Sequence, residues 1–283
     1  MKDNNLLILT GASGFIGNYC QDYFNNLGYR IITVGRSPSN DFYCDLSSPE
    51  SIHGLHKLPT FGAFIHLATH VGWDGAPSEK LFAPNVLSTA LIADFVRNRE
   101  AHLIFSSAAV IAGQNMETIT MSSMDNPDCC YAESKLLAEN CILFSGVDAS
   151  ILRIGGVYGL NGPQHLGLNR NIQLVSSGHS PLVFGTGSGR RNYIYVRDLA
   201  DIIANTIETR CMGVHLVAGK ESLSIHQICQ QLSNVFDISS GPVYRSGESS
   251  RSQIVESAPQ FTGKSTYAEA FASLKTLDID LNK

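Results

Sequence analysis

The chain predicts an α/β protein: a doubly wound parallel sheet with a smaller, mostly C-terminal substrate-binding lobe. Two observations carry that expectation. Short runs that are apolar at consecutive positions alternate with helix-length segments through the first half of the chain. Strands apolar on both faces belong in a parallel sheet covered on both sides. A glycine-rich turn, Thr10-Gly-Ala-Ser-Gly-Phe-Ile-Gly17, also lies between the first apolar run and the first helix, the place it occupies in a Rossmann-type sheet.

The elements follow in order. Leu6–Leu9 reads as a strand, and Phe15–Leu27 as a helix ended by Gly28. Arg30–Val34, Ala63–Leu67 and His102–Phe105 are further strands, with a helix over Val86–Arg99 before the last of them. Tyr131–Phe144 is helical and Ser150–Ile154 is a strand. Beyond about residue 155 the pattern loosens into GGVYGLNGP and FGTGSGRRN, while Asn192–Ile207 reads as strand plus helix returning to the sheet. The expected division is a dinucleotide-binding domain over 1–155 plus about 192–215, and a lobe over about 156–191 and 216–283.

Composition narrows the function. With 43% hydrophobic and 16% charged residues, the 283-residue chain can bury a sizeable core and is not disordered. A net charge of −5 argues against nucleic acid as a main partner. No apolar run approaches the roughly 20 residues of a membrane span, and the N-terminal run is too short for a signal peptide. The seven cysteines show neither metal-ligand nor disulfide-framework spacing, so a reducing cytoplasm is expected and the vicinal Cys129-Cys130 read as ordinary thiols. His66 and His70 straddle a strand end with no accompanying Glu, and no metal site is expected.

Three local patterns carry chemistry. Glycines at 11, 14 and 17 let backbone N–H groups approach a pyrophosphate at the start of a helix. A ribose-binding acid is expected about 20 residues on, yet the second strand ends Val34-Gly-Arg-Ser37. A guanidinium there can pair with a 2′-phosphate, so Arg36 favours NADP(H) over NAD, with a solvated surface arginine as the alternative. Tyr131 and Lys135 fall four apart on one helical face, where an ammonium favours the phenolate and so lowers the tyrosine pKa.

Together these residues resemble the extended short-chain dehydrogenase/reductase family, the group of nucleotide-sugar epimerases, dehydratases and ketoreductases, along nearly the whole chain. Cys44-Asp45-Leu46 is similar to the family's adenine-contacting segment, and His66-Leu67-Ala68-Thr69 to its cofactor-lining H-L-A-A. Asn85 matches the Asn of its N-V-x-G-T helix, here NVLST. Leu152–Gly159 is similar to L-R-x-x-N-V-Y-G, with Gly156 replacing the Asn. Gly185–Asp198 resembles G-D-G-x-x-x-R-D-F-x-x-V-x-D, and by that match Arg191 contacts a substrate diphosphate. Arg245 is similar to the arginine of a later R-x-G-E, a weaker match in a divergent segment. The resemblance implies a cofactor site made of Gly11, Ser13, Gly14, Phe15, Ile16, Gly17, Arg36, Asp45, Leu46, Leu67, Ala68, Thr69, Asn85, Tyr131 and Lys135.

It also implies a third catalytic group, a Ser or Thr three residues before a V-Y-G triplet. Alignment on Gly113 places Ala108 there, whereas alignment on Ser-Ser-Ala-Ala-Val gives Ser107 with one extra residue before the glycine. Ser107 is preferred, because an insertion in a loop costs less than a lost catalytic partner. By strand alternation Ser106 then points to the opposite face.

The chemistry implied is hydride transfer at a sugar carbon, C4, of a nucleotide sugar. Tyr131 moves the proton, Ser107 holds the oxygen, and Lys135 binds the nicotinamide ribose. Ser107-Ala108-Ala109 lacks the acids of the dehydratases' Thr-Asp-Glu, which disfavours dehydration. Arg36 favours a 4-ketoreductase using NADPH; a 4-epimerase recycling NAD(P) is the alternative, and a non-catalytic NADP-binding regulator the second. The helices over Val86–Arg99 and Tyr131–Phe144 pair into a dimer in the relatives, so a homodimer is expected.

Overall fold

The computed structural model describes residues 5–72 and 79–281. Leu6–Thr10 forms strand β1, the glycine turn follows, and Phe15–Asn26 is helix α1. Arg30–Gly35 is β2, Phe42–Tyr43 is β3 and Ala63–His66 is β4. A π-helical turn over Phe82–Leu87 leads into helix α2, Ser88–Asn98. His102–Ala108 is β5, Cys130–Ser145 is α3 and Ala149–Ile154 is β6. Helix α4, Val196–Thr209, and strand β7, Gly213–Val217, complete the set.

The strands form one seven-stranded sheet in the order β7-β6-β5-β4-β1-β2-β3. β1 sits between β2 and β4, parallel to both, with Leu7 opposite Ile31 on one side and Ala63 on the other. The winding reverses there, which opens a crevice at the carboxyl ends of β1 and β4. Every residue of β1, β4 and β5 is buried, as the uninterrupted apolar runs predict. Ile8, Phe64, Leu103 and Phe105 share a core with Ile92 and Val96 of α2 and Ala138 and Ile142 of α3. Their neighbours Leu7, Leu9, Ile65 and Ile104 are buried too, so the sheet is covered on both sides. β5 runs on to Ala108, beyond the apolar run that ends at Phe105, and both serines lie inside the strand.

The chain divides into two compact units, one comprising 1–114, 124–153 and 200–215, the other 115–123, 154–199 and 216–283. In the second, Val157–Tyr158 pairs in parallel with Ile194–Tyr195. The buried Tyr158 ring stacks on Tyr267 at 5.5 Å, and helix Ile225–Val235 opens with a capping box between Ser224 and Gln227. No described helix is long and apolar enough to cross a membrane. All seven cysteines are unpaired.

His66 ties the crevice together. It ends β4 at 0% exposure, with Nδ1 2.7 Å from Thr10 Oγ1 at the end of β1 and Nε2 3.2 Å from Thr89 Oγ1 in α2. Thr89 spends its proton on the Asn85 carbonyl, 2.6 Å away, and therefore accepts from His66 Nε2–H. Nδ1 then accepts from Thr10, whose oxygen takes the Ala68 N–H at 3.3 Å. This neutral tautomer leaves no place for a second proton. Burial, reinforced by the Lys135 charge, pulls the His66 pKa down to about 3.

The folded-state pKa lies below the unfolded one, so the unfolded chain takes up a proton that the folded chain refuses. Stability therefore falls as pH drops from about 6.5 towards 3. Denaturant midpoints measured across that window should show a shallower pH slope in His66→Gln than in the parent. An unchanged slope would refute the assignment.

Candidate active site

The glycines at 11 and 17 are dictated by close approach. Gly11 has φ +74°, and a Cβ there would lie 2.7 Å from the Ala68 nitrogen. A Cβ on Gly17 would sit 2.0 Å from the Gly11 carbonyl oxygen. The turn thus brings the start of α1 against β1 and the strand end at Leu67-Ala68. Gly14 caps α1 without any side-chain hydrogen bond, and the first turn carries no acid. Ser13 and Gly14 are exposed, while Phe15 and Ile16 are half-buried. An uncapped helix N-terminus with open N–H groups and no carboxylate suits a pyrophosphate, so this loop fits a dinucleotide.

Arg36 is exposed immediately after β2. The nearby acid, Asp41, turns back to accept from the Thr33 N–H at 2.9 Å and hydroxyl at 2.7 Å, bonds that hold its carboxyl below the ordinary range. Asp45 and Leu46 are half-buried, and the Asp45 carboxylate accepts from Ser47 N–H at 2.9 Å. Beyond β4, Leu67 is buried, Ala68 half-buried and Thr69 exposed. Asn85 lies in the π-helical turn, an irregularity frequent at functional sites. Its amide is fully engaged: Oδ1 accepts from His70 N–H at 2.7 Å and Thr69 Oγ1 at 3.3 Å, and Nδ2 donates to His70 O at 2.8 Å and Ser134 Oγ at 3.0 Å. Asn85 therefore clamps the loop after β4 to the helix that carries Tyr131 and Lys135.

Tyr131 and Lys135 lie on α3, with the ammonium 5.9 Å from the centre of the phenol ring. Lys135 is 1% exposed; it donates to the Ser106 carbonyl at 2.7 Å and lies 4.6 Å above the Phe105 ring. Burial pulls its pKa down to about 7, against the carboxylate of Glu139, which raises it. Burial pushes the Tyr131 phenol up to about 12. The shift is opposite to the lowering expected from Lys135: removal from water dominates, and Cys129 acts in the same upward direction. Tyr131 is a protonated phenol at neutral pH.

The two serines separate as strand alternation requires. Ser106 donates to the His66 carbonyl at 3.2 Å. Ser107 is buried on the face towards α3, and its hydroxyl donates to the Glu139 carboxylate. That partner was not foreseen from sequence. Glu139 also receives Arg153, with Nε 3.0 Å from Oε1 and Nη2 2.7 Å from Oε2. The only local signal was the spacing of Glu139, one helical turn after Lys135.

The two arginines expected at the substrate belong to the second unit. The Arg191 guanidinium donates to the Arg251 carbonyl and to its own neighbour's, Arg190 O, at 3.2 Å. Arg245 is exposed at the end of Val243–Arg245, which pairs with Leu182–Phe184. A Cβ on Gly156 would lie 2.4 Å from the Tyr193 ring, so that ring takes the space of the side chain missing at 156. Among the described residues no three His, Cys, Asp or Glu side chains are grouped to hold a metal ion. Within the first unit, the crevice joins an anion-ready helix end to a proton donor and a buried cation one helical turn apart.

Comparison with known proteins bears on the fold and the family. The chain is 26% identical over 258 residues to a UDP-glucuronate 4-epimerase of Thermodesulfobacterium geofontis, spanning 80% of this chain and 79% of that one. Its fold matches the UDP-glucose 4-epimerase of Thermotoga maritima, solved with UDP-glucose, at a TM-score of 0.85 and 19% identity, over 98% of this chain and 100% of that one. It matches RMD of Pseudomonas aeruginosa, solved with NADPH, at 0.82 and 18% identity, over 98% and 99%. The model of the NAD dependent epimerase/dehydratase family matches residues 7–218, well over half the chain. The chain belongs to that family.

Proposed function

We propose that this protein is a nicotinamide-dinucleotide-dependent oxidoreductase acting at C4 of a nucleotide sugar, with Tyr131 as its proton donor and acceptor. The observation that carries the reading is the pairing of Tyr131 with a buried Lys135 in the crevice that the glycine turn opens onto. Backbone N–H groups at Gly11–Gly17 would hold the pyrophosphate, Arg36, Asp45 and Leu46 the adenosine end, and Leu67, Ala68, Thr69 and Lys135 the nicotinamide end. When bound, the dinucleotide supplies or takes the hydride. Tyr131 gives its phenolic proton to the C4 oxygen as a carbonyl is reduced, and recovers one as an alcohol is oxidised. Ser107 positions the same oxygen in its alcohol state, accepting from it while its own hydrogen is held by Glu139. Arg191 and Arg245 are assigned to the nucleotide diphosphate.

Two readings of the reaction have specific support. Arg36 and the absence of a free acid at the end of β2 favour NADPH and a 4-ketoreductase, as does a Tyr131 that starts protonated. The 4-epimerase among the sequence relatives favours recycling of the cofactor. Purified protein given NADPH and a 4-keto nucleotide sugar should consume NADPH; a protein that retains oxidised cofactor and interconverts UDP-glucose and UDP-galactose is the epimerase. Cofactor binding with neither activity would overturn both readings and leave the NADP-binding regulator. Tyr131→Phe should lower turnover by about 10²–10⁴ while cofactor affinity stays unchanged.

Arg36→Asp should weaken NADPH binding by about tenfold or more in fluorescence titrations and leave NADH binding intact. Equal affinities in mutant and parent would dismiss the 2′-phosphate role.

A homodimer through α3 fits the same reading. That helix exposes Leu137 and Phe144, seven residues apart on one stripe, the latter at 90%, an apolar strip that a second copy would cover. Sedimentation should give a dimer for the parent and a monomer for Phe144→Asp; a parent that sediments as a monomer would exclude it.

A further inference from the structure

We infer that Glu139 is a positioning residue of the proposed site: one buried carboxylate, aimed by Arg153, that couples Ser107 to Lys135. The inference rests on the reading of Ser107, Tyr131 and Lys135 as the reacting set. Glu139 is 1% exposed, and a carboxylate taken out of water is costly unless its lone pairs are filled. Arg153 fills most of them from β6, with Nε also 3.1 Å from Oε2. The other edge of the same guanidinium is held by Asp125, Nη1 to Oδ1 at 2.6 Å and Nη2 to Oδ2 at 3.1 Å. A planar fork gripped on two edges cannot turn, so the direction of the Glu139 carboxylate is fixed. Neutralising Arg153 would need nothing more. Yet Oε1 also takes the Ser107 hydroxyl, and it does so beside the Ser106 carbonyl that holds the Lys135 ammonium.

The groups facing Lys135 come from several elements. Tyr131 and Glu139 lie on its own helix, His66 on β4, the Phe105 ring and Ser106 carbonyl on β5, and Arg153 on β6 behind Glu139, with Asp125 beyond. Tyr131 and His66 are neutral near pH 7, with pKa values of about 12 and about 3. Glu139 is the anion that acts on the ammonium, opposing the burial that discharges it. A carboxylate doing two jobs separates cleanly in the variant Glu139→Gln. The amide oxygen still offers Ser107 an acceptor, but the charge acting on Lys135 is gone.

The test reads Lys135 directly, without cofactor or substrate. Protein labelled with ¹³C,¹⁵N-lysine is titrated by NMR, with the Lys135 signal assigned through Lys135→Arg. In Glu139→Gln the Lys135 midpoint should fall by at least about one pH unit. Asp125→Asn, at the exposed rim, should move it in the same direction by less, because Arg153 is then less neutralised. In the turnover assay the activity lost as pH rises through the Lys135 midpoint should be lost at correspondingly lower pH in Glu139→Gln. A folded Glu139→Gln with an unmoved Lys135 midpoint would overturn the coupling; should that variant not fold, an unmoved midpoint in Asp125→Asn does so. A shifted midpoint in a protein without turnover would support the coupling and refute the proposed reaction, so the two fail separately.

Discussion

One ammonium buried between β5 and α3 constrains the rest of the first unit. Removing Lys135 from water costs several kcal/mol unless other groups replace its hydration. The replacements are a carbonyl from Ser106, the face of Phe105 and the carboxylate of Glu139. Each fixes something further. The carbonyl and the ring set the register of α3 against β5. The carboxylate brings in Arg153 from β6, and Arg153 brings in Asp125. Three neighbouring elements are thus held by one charge and its chain of counter-charges, in the crevice where β1 and β4 part.

Asn85 and His66 extend the same frame towards the ends of β1 and β4. Asn85 ties the loop after β4 to Ser134, whose hydroxyl donates back to the Tyr131 carbonyl at 2.8 Å. His66 ties the ends of β1 and β4 to α2. The loop after β4 and the Tyr131 helix are therefore connected through saturated polar side chains, in which no donor is idle. Such networks hold one geometry because every alternative strands a buried polar group.

What was legible in the sequence is what depends on local spacing. Apolar runs gave the strands, glycines three apart gave the turn, and a tyrosine and lysine four apart gave the pair on α3. Illegible were the properties created by residues distant in sequence. Ser107 meets Glu139 across 32 positions, and Arg153 lies 14 beyond Glu139. Two hydroxyls break the apolar run after Phe105, yet the strand continues to Ala108 because the His66 carbonyl and Glu139 receive those hydroxyls inside the fold. The Tyr131 pKa is illegible for a related reason: the neighbouring charge is visible in sequence, whereas depth of burial is not.

The Ser107 bond bears on the direction of the chemistry. Its hydrogen is committed to Glu139, so its oxygen is left as an acceptor, while Tyr131 keeps its proton and is a donor. On the proposed reading a sugar oxygen set against both meets one donor and one acceptor. A carbonyl oxygen uses only the donor. A hydroxyl uses both, accepting from Tyr131 and donating to Ser107. On that reading the alcohol would be held by about one hydrogen bond more than the ketone, on the order of 1 kcal/mol. A catalyst leaves the equilibrium in solution unchanged, so this preference acts only on the balance between the two bound species, through the orientation that Glu139 imposes on Ser107.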